Sequence, residues 1–347
     1  MIKLVYQNRG VWYEPAVLEG LSWTTVRSGS PGTLSWEMYT DHVIDPGDTV
    51  QLTDGSWNLF KGYCFTTQHS HDGKIKVTAY DQLRYLKNTD TIIYENWTPE
   101  QLIRKIATDY RLAVGNLQTT GCTIRTYNGD SKTLFDMIGD ALDIVMVDRR
   151  ELYILYDDFG KLTLQNSRGL QVPILIDGHS AEDYDIQSSI DSQTYNQIKL
   201  VFVDSQTSTR NVYMAKDDNS IKKWGILQKY EQGSSGTNST TTTTETGTAA
   251  GTTGKETKAD TGDDEAHAQQ KVNALLSTYN SISRSCTIKG ITGDNRVRGG
   301  GQIYVRLSMG EVMQDGWMIV NTATHTWKGS VHTMDLSVES GVFNSVS

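Results

Sequence analysis

The chain has 347 residues, 41 acidic against 32 basic side chains and a formal net charge of -9. The length exceeds what one hydrophobic core usually serves, so two or three domains are expected, and the acidic balance without a Lys/Arg block argues against direct phosphate-backbone binding. Three cysteines, Cys64, Cys122 and Cys286, lie far apart with no CxxC pair, as in a protein made in a reducing cytoplasm.

The opening residues "MIKLVYQNRGVWYEP" lack an apolar h-region and a small-residue cleavage site, so secretion by the usual route is not expected. No window approaches the roughly 18 apolar residues of a spanning helix, so no membrane insertion is expected either. From Met1 to about Asn88 short β-prone runs alternate with turn chemistry. "TLSWEMY" places Leu34, Trp36 and Met38 on one face, and Asp72-Gly73 between "NLFKGYCFTTQ" and "KIKVTAYDQL" is a hairpin signal. About five antiparallel strands in under 90 residues match the density of a small barrel or sandwich.

The period changes at Trp97. Thr98 as N-cap, Pro99 at the first helical position and Gln101 in the capping-box position open a helix striped by Leu102, Ile103, Ile106, Ala107 and Tyr110. A second helix follows in "TLFDMIGDALDIVMV", and "ELYILYDDFGKLTLQ" reads as a hairpin turning at Asp157 to Gly160. Strands return from about Ile174 in "NQIKLVFVD", "RNVYMAK" and "WGILQKY". Gly233 to Gly262 then holds 12 Thr, 6 Gly and 3 Ser in 30 residues, too little apolar surface to offset ordering entropy, so a disordered Thr/Gly/Ser loop is expected there. A helix over 264–284 follows, with Val272, Leu275, Leu276 and Tyr279 as its buried stripe, and four β-prone runs complete the chain.

One internal echo bears on architecture. Gly47-x-x-Val50-x-Leu52, Gly62-Tyr63-x-Phe65 and Val77-x-Ala79 recur as Gly300-x-x-Ile303-x-Val305, Gly316-Trp317-x-Ile319 and Met334-x-Leu336. Two copies of one β-barrel split by a helical insert would produce it. The expected fold is therefore α+β and mainly β: an N-terminal barrel over 1–89, a small α/β insert over 90–173 with two helices and a hairpin, and a second barrel over 174–347 that carries the helix 264–284 and the loop 233–262.

No constellation points to catalysis. Asp158-Phe159-Gly160 spells a kinase magnesium motif, yet the phosphate loop, strand-borne Lys and catalytic loop are missing, and a hairpin turn explains it. His69-x-His71 lacks a third ligand at recognisable spacing, and His325 and His332 flank a hairpin as a cross-strand pair. The carboxylate pairs Asp157/Asp158, Asp217/Asp218 and Glu182/Asp183 all sit in turn-like context. The sequence thus assigns no catalytic, cofactor-binding or metal-ligating residue and no cofactor.

Five ordered blocks carry a resemblance: "VTAYDQLRYLKNTDT" (Val77 to Thr91), "LYDDFGKLTL" (Leu155 to Leu164), "SIDSQTYNQIKLV" (Ser189 to Val201), "IKKWGILQKYE" (Ile221 to Glu231) and "GDNRVRGGGQIYVRL" (Gly293 to Leu307). Together they resemble the XkdQ/YqbQ-like family, baseplate hub proteins of contractile phage tails, PBSX-type defective prophages and phage-tail-like bacteriocins. The resemblance implies a non-enzymatic hub whose two tail-tube-like antiparallel barrels form a homotrimeric ring of pseudo-sixfold symmetry. Such a ring joins the sixfold tail tube to the threefold central spike, touches inner baseplate and LysM-type tail proteins and surrounds the tape measure protein in its channel. It implies a virion or tail-like particle assembled in the bacterial host cytoplasm, without specific nucleic-acid binding. The alternative is a cell-wall-acting tail component that binds or hydrolyses peptidoglycan. Where the family has a short acidic connection after "WGILQKYE", this chain carries the Thr/Gly/Ser tract.

Overall fold

The alternation along the N-terminal third becomes a six-stranded antiparallel module in the computed structural model, which describes all residues except 19, 40–41, 192–193, 204–209, 235–261, 311 and 341–347. Its strands are β1 (Ile2–Asn8), β2 (Leu21–Val26), β3 (Thr33–Tyr39), β4 (Thr49–Asp54), β5 (Trp57–His69) and β6 (Ile75–Tyr80). They lie in the order β1-β4-β5-β6-β3-β2, with the short strands Val11–Tyr13 and Ala16–Val17 added to β1 and β3. Leu34, Trp36 and Met38 point into the core with Tyr6, Val50, Leu52, Phe60 and Val77, as their period of two requires. Gly73 takes a φ of 83° in the β5–β6 hairpin.

A second core belongs to the insert. It holds β7 (Thr89–Trp97), α1 (Pro99–Asp109), β8 (Val114–Leu117), β9 (Ile124–Thr133), α2 (Leu134–Arg149), β10 (Tyr153–Asp157) and β11 (Leu162–Asn166). The Thr98/Gln101 capping box forms as expected, and Thr133 caps α2 by accepting from the Asp136 amide. Leu102, Ile103, Ile106, Leu134, Met137, Ala141 and Val145 pack between the helices and the strands. Leu83 and Leu86, in the 3-10 turn Gln82–Lys87, belong to this core, so it begins several residues before 90. The strands β7, β8 and β9 were not legible in the sequence pattern.

The chain then forms β12 (Gln171–Asp177) and β13 (Asp183–Ser189). From Ser189 to Ile282 it makes a separate compact unit, where the sequence pattern placed part of the second barrel. This unit holds β14 (Gln197–Val203), β15 (Arg210–Lys216), α3 (Asp218–Trp224), β16 (Gln228–Ser234) and α4 (Gly262–Tyr279). Its sheet runs β15-β14-β16, with β14 and β16 parallel, and Ile198, Leu200, Ala268, Val272 and Leu275 are among its buried residues. The helix ends at Tyr279 rather than 284, because Asn280 and Ser281 turn the chain towards the next strand. The Thr/Gly/Ser tract 233–262 lies outside the described residues except at its two ends.

Four strands complete the second module: β17 (Ser283–Thr292), β18 (Gln302–Met309), β19 (Val312–Lys328) and β20 (Val331–Ser340). Their order with the earlier pair is β12-β18-β19-β20-β17-β13. In both modules the six strands, counted along the chain, lie in the spatial order first, fourth, fifth, sixth, third, second. The equivalence reaches single hydrogen bonds. The Gly47 amide donates to the Cys64 carbonyl at 2.8 Å and the Cys64 amide to Asp48 at 2.8 Å; the Gly300 amide donates to Val320 at 2.7 Å and the Val320 amide to Gly301 at 2.9 Å. A register shift follows each, between Cys64 and Thr66 and between Val320 and Thr322.

These pairings also correct the echo. Val50 lies opposite Gly62 while Ile303 lies opposite Met318, so Gly62 corresponds to Met318 and not to Gly316. The β18–β19 hairpin is longer than β4–β5, and the shift of two residues carries through to β20. One difference is topological: β12 pairs parallel to β18, whereas β1 pairs antiparallel to β4.

The long strand β19 ties the modules together. Its first part pairs with β18, and Thr322 to Trp327 pair antiparallel with Val26 to Leu21 of β2. Trp327 accordingly sits in the first module's core. The mainly antiparallel β class holds, but no ladder among the described residues closes either module into a barrel, since β19 extends onto the neighbouring module instead.

Candidate functional site

The segment Gly293 to Gly301 enters β18 by threading between β2 and the insert, and three consecutive glycines make the passage possible. The Gly299 amide donates to Thr25 Oγ1 at 2.9 Å, and a Cβ at Gly299 would lie 2.5 Å from the Val26 carbonyl carbon. Gly300 has a φ of 85°, and a Cβ there would lie 2.5 Å from Ile154 Cγ2. Ser167 Oγ donates to the Gly300 carbonyl at 2.8 Å and accepts from Gln302 Nε2 at 3.1 Å. Gly300→Ala is therefore expected to cost more than about 1 kcal/mol, read as a lower urea midpoint at unchanged slope. An unchanged midpoint would show that the segment relaxes freely.

Between these contacts the buried Arg298 lies close enough to two carboxylates from distant parts of the chain to act on them through its charge, with no direct ion pair to either among the described residues. Its guanidinium lies over the Tyr156 ring, 3.9 Å from the centroid, and Nη2 donates to the Asp157 carbonyl at 2.9 Å. The Asp157 side chain is buried and accepts from the Gly160 amide at 2.7 Å through Oδ1. Asp81, also buried, accepts from the Gly32 amide at 2.8 Å and from the Leu83 amide at 3.0 Å. Burial, and then the Asp157 charge, pushes the Asp81 carboxyl well up; burial also raises Asp157, against the pull of the Gly160 amide, then the Gln82 side chain, then Arg298. The pair thus shares negative charge reluctantly, and the charge of Arg298 offsets part of the cost.

The other side of the same segment holds a histidine pair. His325 is fully buried; its Nε2 lies 2.9 Å from the Val297 carbonyl and its Nδ1 lies 3.0 Å from His332 Nε2. A carbonyl only accepts, so Nε2 of His325 carries the proton and His332 donates to Nδ1. The rings stack between Trp23 (5.0 Å from His325) and Trp327 (4.3 Å from His332). Burial pulls His325 down to about 4 and lowers His332 as well. The neighbouring Asn295 donates from Nδ2 to Asp54 at 3.0 Å, the main reason the Asp54 carboxyl sits below its usual value.

The residues weighed from sequence fall into place accordingly. Asp157 to Gly160 form the β10–β11 turn, with Phe159 and Gly160 both at positive φ, so the kinase-like triplet is turn chemistry. His69 and His71 sit at the exposed β5–β6 hairpin, and His325 with His332 form the cross-strand pair. Asp217 caps α3. The three cysteines are free and buried, with burial pushing Cys64 up to about 12 and Cys286 to about 11. No group of three or more His, Cys, Asp or Glu among the described residues could hold a metal ion, and no described helix is long and apolar enough to cross a membrane. A cleft of about 280 Å³ beside the Arg298 cluster is lined by Trp23, Trp57, Asp158, Pro173 and Arg296. What the sequence pattern missed is the cluster itself. Three of the five blocks that carry the family resemblance supply one member each: Asp81, Asp157 and Arg298.

The fold is that of phage tail proteins. The chain superposes on the 43 kDa tail protein of prophage MuSo2 from Shewanella oneidensis with a TM-score of 0.62 at 14% identity, covering 97% of this chain and 98% of that one. The sequence pattern of the YQBQ-like family matches residues 21–259 and 251–339, and the chain belongs to that family. It is 26% identical over 348 residues to YqbQ of Bacillus subtilis (strain 168), covering 97% of this chain and 96% of YqbQ. It is equally 26% identical to XkdQ of the phage-like element PBSX of Bacillus subtilis (strain 168), covering 97% of each chain.

Proposed function

We propose that the chain is a non-enzymatic structural hub of a contractile tail-like injection machine. Three copies form a ring that adapts the sixfold tail tube to the threefold central spike and surrounds the channel. The observation that carries this reading is the repetition of one six-stranded module, with the same strand order and the same hydrogen-bonded bulge, twice in one chain. Three such chains present six near-equivalent modules on one side, to match a sixfold tube, while the ring as a whole keeps threefold symmetry for the spike. The relation to XkdQ and the fold of prophage tail proteins support the same role.

On this reading the two modules are tail-tube-like barrels completed in the assembly. The partners are the tail tube protein, the spike, inner baseplate and LysM-type tail proteins and, within the channel, the tape measure. The protein resides in the baseplate of a virion or tail-like particle after assembly in the host cytoplasm. Arg298, Asp81 and Asp157 then act by holding the insert against both modules under load, not by chemistry on a substrate. The cell-wall-acting alternative finds no separate support.

Purified protein is expected to give a mass three times that of the 38.7 kDa chain by mass photometry. A monomer at all concentrations, and a monomer in the assembled particle, would overturn the ring.

A further inference from the structure

Within one chain the modules join through a specific strand junction, and each module keeps an unused half of the same junction. We propose that the free edge of β5 at Thr66 to His69 pairs antiparallel with β13, Asp183–Ser189, of a second copy, repeating between chains the junction that β19 and β2 make within one. The inference rests on the ring reading and adds the surfaces that close it.

The equivalence of the modules fixes the correspondence. Cys64 matches Val320 by its paired backbone bonds, and the register shift after each makes Thr66 match Thr322 and His69 match His325. β2 and β13 are each the second strand of their module and lie beside the third. In the second module, β18 covers β19 only as far as Ile319, and beyond that the same side of β19, from Thr322 to Trp327, takes β2. In the first module β4 covers β5 only as far as Tyr63. From Thr66 to His69 the strand pairs with β6 on its other side, and no ladder among the described residues takes the side β4 leaves. β13 likewise pairs with β17 and has no second neighbour among the described residues.

Burial differs in the sense that a missing neighbour produces. His325 is buried and Thr322 and Thr324 half-buried, whereas Thr66, Gln68 and His69 are exposed. β2 alternates buried and half-buried residues, whereas β13 alternates half-buried and exposed ones. Such an open edge invites another strand unless it is covered. Charge selects the occupant. β13 carries exposed Asp183, which lies 3.9 Å from Lys289, and exposed Asp185 on the face away from the core, while the β5–β6 hairpin carries Lys76 on its outward face and a Lys74 already paired with Asp72 at 2.9 Å. Gln68 and Lys76 lie opposite each other on the same outward face, so a pairing β13 sets its aspartates beside Lys76. The two half-junctions differ, so the contact is head-to-tail and generates a ring when the rotation closes.

The test is disulfide trapping in the full chain, whose own cysteines are buried. Gln68→Cys protein is mixed with Asp183→Cys, Asp185→Cys or Gln187→Cys protein and oxidised in air. At least one mixture is expected to give a covalent dimer, and the same pair on one chain a covalent closed oligomer. Tyr184→Cys and Ile186→Cys, which face the second module's core, should give none. In parallel, Asp183→Lys with Asp185→Lys is expected to weaken assembly tenfold or more while the far-ultraviolet circular dichroism stays unchanged. A trimer that forms no crosslink from any outward pair, or whose assembly ignores the charge reversal, overturns this junction and leaves the ring standing. A chain that is monomeric throughout overturns both.

Discussion

Arg298→Met is expected to destabilise the folded chain by about 1–3 kcal/mol at neutral pH, the range for leaving the buried partner of a charged hydrogen-bond donor unsatisfied. The substitution keeps most of the aliphatic stem but removes the charge over Tyr156 and the donor to the Asp157 carbonyl. Asp81 and Asp157 remain, both buried and both already resisting ionisation. The pH dependence separates this cause from lost packing. A carboxyl whose folded value is raised contributes no penalty below its unfolded value near 3.8 and the full penalty once the pH exceeds its folded value. The deficit of Arg298→Met should therefore shrink as the pH falls from 7 towards 4, and adding Asp157→Asn should recover part of it at pH 7. Guanidinium midpoints followed by tryptophan fluorescence measure both, since Trp23 lines the same cleft as Arg298. A deficit below about 1 kcal/mol, or one that does not change with pH, would remove the cluster from the account of how the three cores are joined.

Local rules were legible wherever local contacts decide the structure. The alternation of Leu34, Trp36 and Met38, the Thr98/Gln101 capping box and the Asp72-Gly73 hairpin all appear as their side chains require. The family resemblance placed the chain among tail proteins, and the glycine-anchored echo located a true internal repeat, misaligned by two residues after its first strand. Long-range partners were not legible. Gln197–Val203 has the same apolar pattern as a module strand, yet it joins the sheet of the separate unit, because alternation specifies a face and not a neighbour. In β9, "IRTYNGDSKT" is polar and carries Gly129, whose Cβ would meet the Tyr127 ring at 2.7 Å, so its strand signal is weak. The Arg298 cluster was hidden for a different reason. Asp81 caps a 3-10 turn and Asp157 holds a hairpin turn, so each has a sufficient local role. Only the fold shows that the two carboxylates, 76 residues apart in sequence, lie in the field of one buried cation.

Acid should weaken the wild-type junction through His325, and His325→Phe should remove that sensitivity. The folded value near 4 lies below the ordinary 6.5, so the neutral ring is favoured when folded. The contribution is complete above about pH 6.5 and is lost as the pH falls towards 4, by about 3 kcal/mol in all. His332 is lowered in the same direction, while the nearby Asp294 and Asp54 carboxylates oppose the shift and Arg298 adds to it. Asp81 and Asp157 run the opposite way across much of this range, gaining stability as they protonate, so the wild-type profile alone understates the histidine. The variant isolates it. Phenylalanine keeps a ring between Trp23 and His332 but leaves the Val297 carbonyl and His332 without their partner, a loss of about 1–3 kcal/mol at pH 7. Its stability relative to wild type should then rise steadily between pH 6.5 and 4, and the two curves should converge or cross in acid. Parallel curves over that range would mean that the His325 ring accepts a proton without strain, and the histidine pair would then be no more than a cross-strand packing contact.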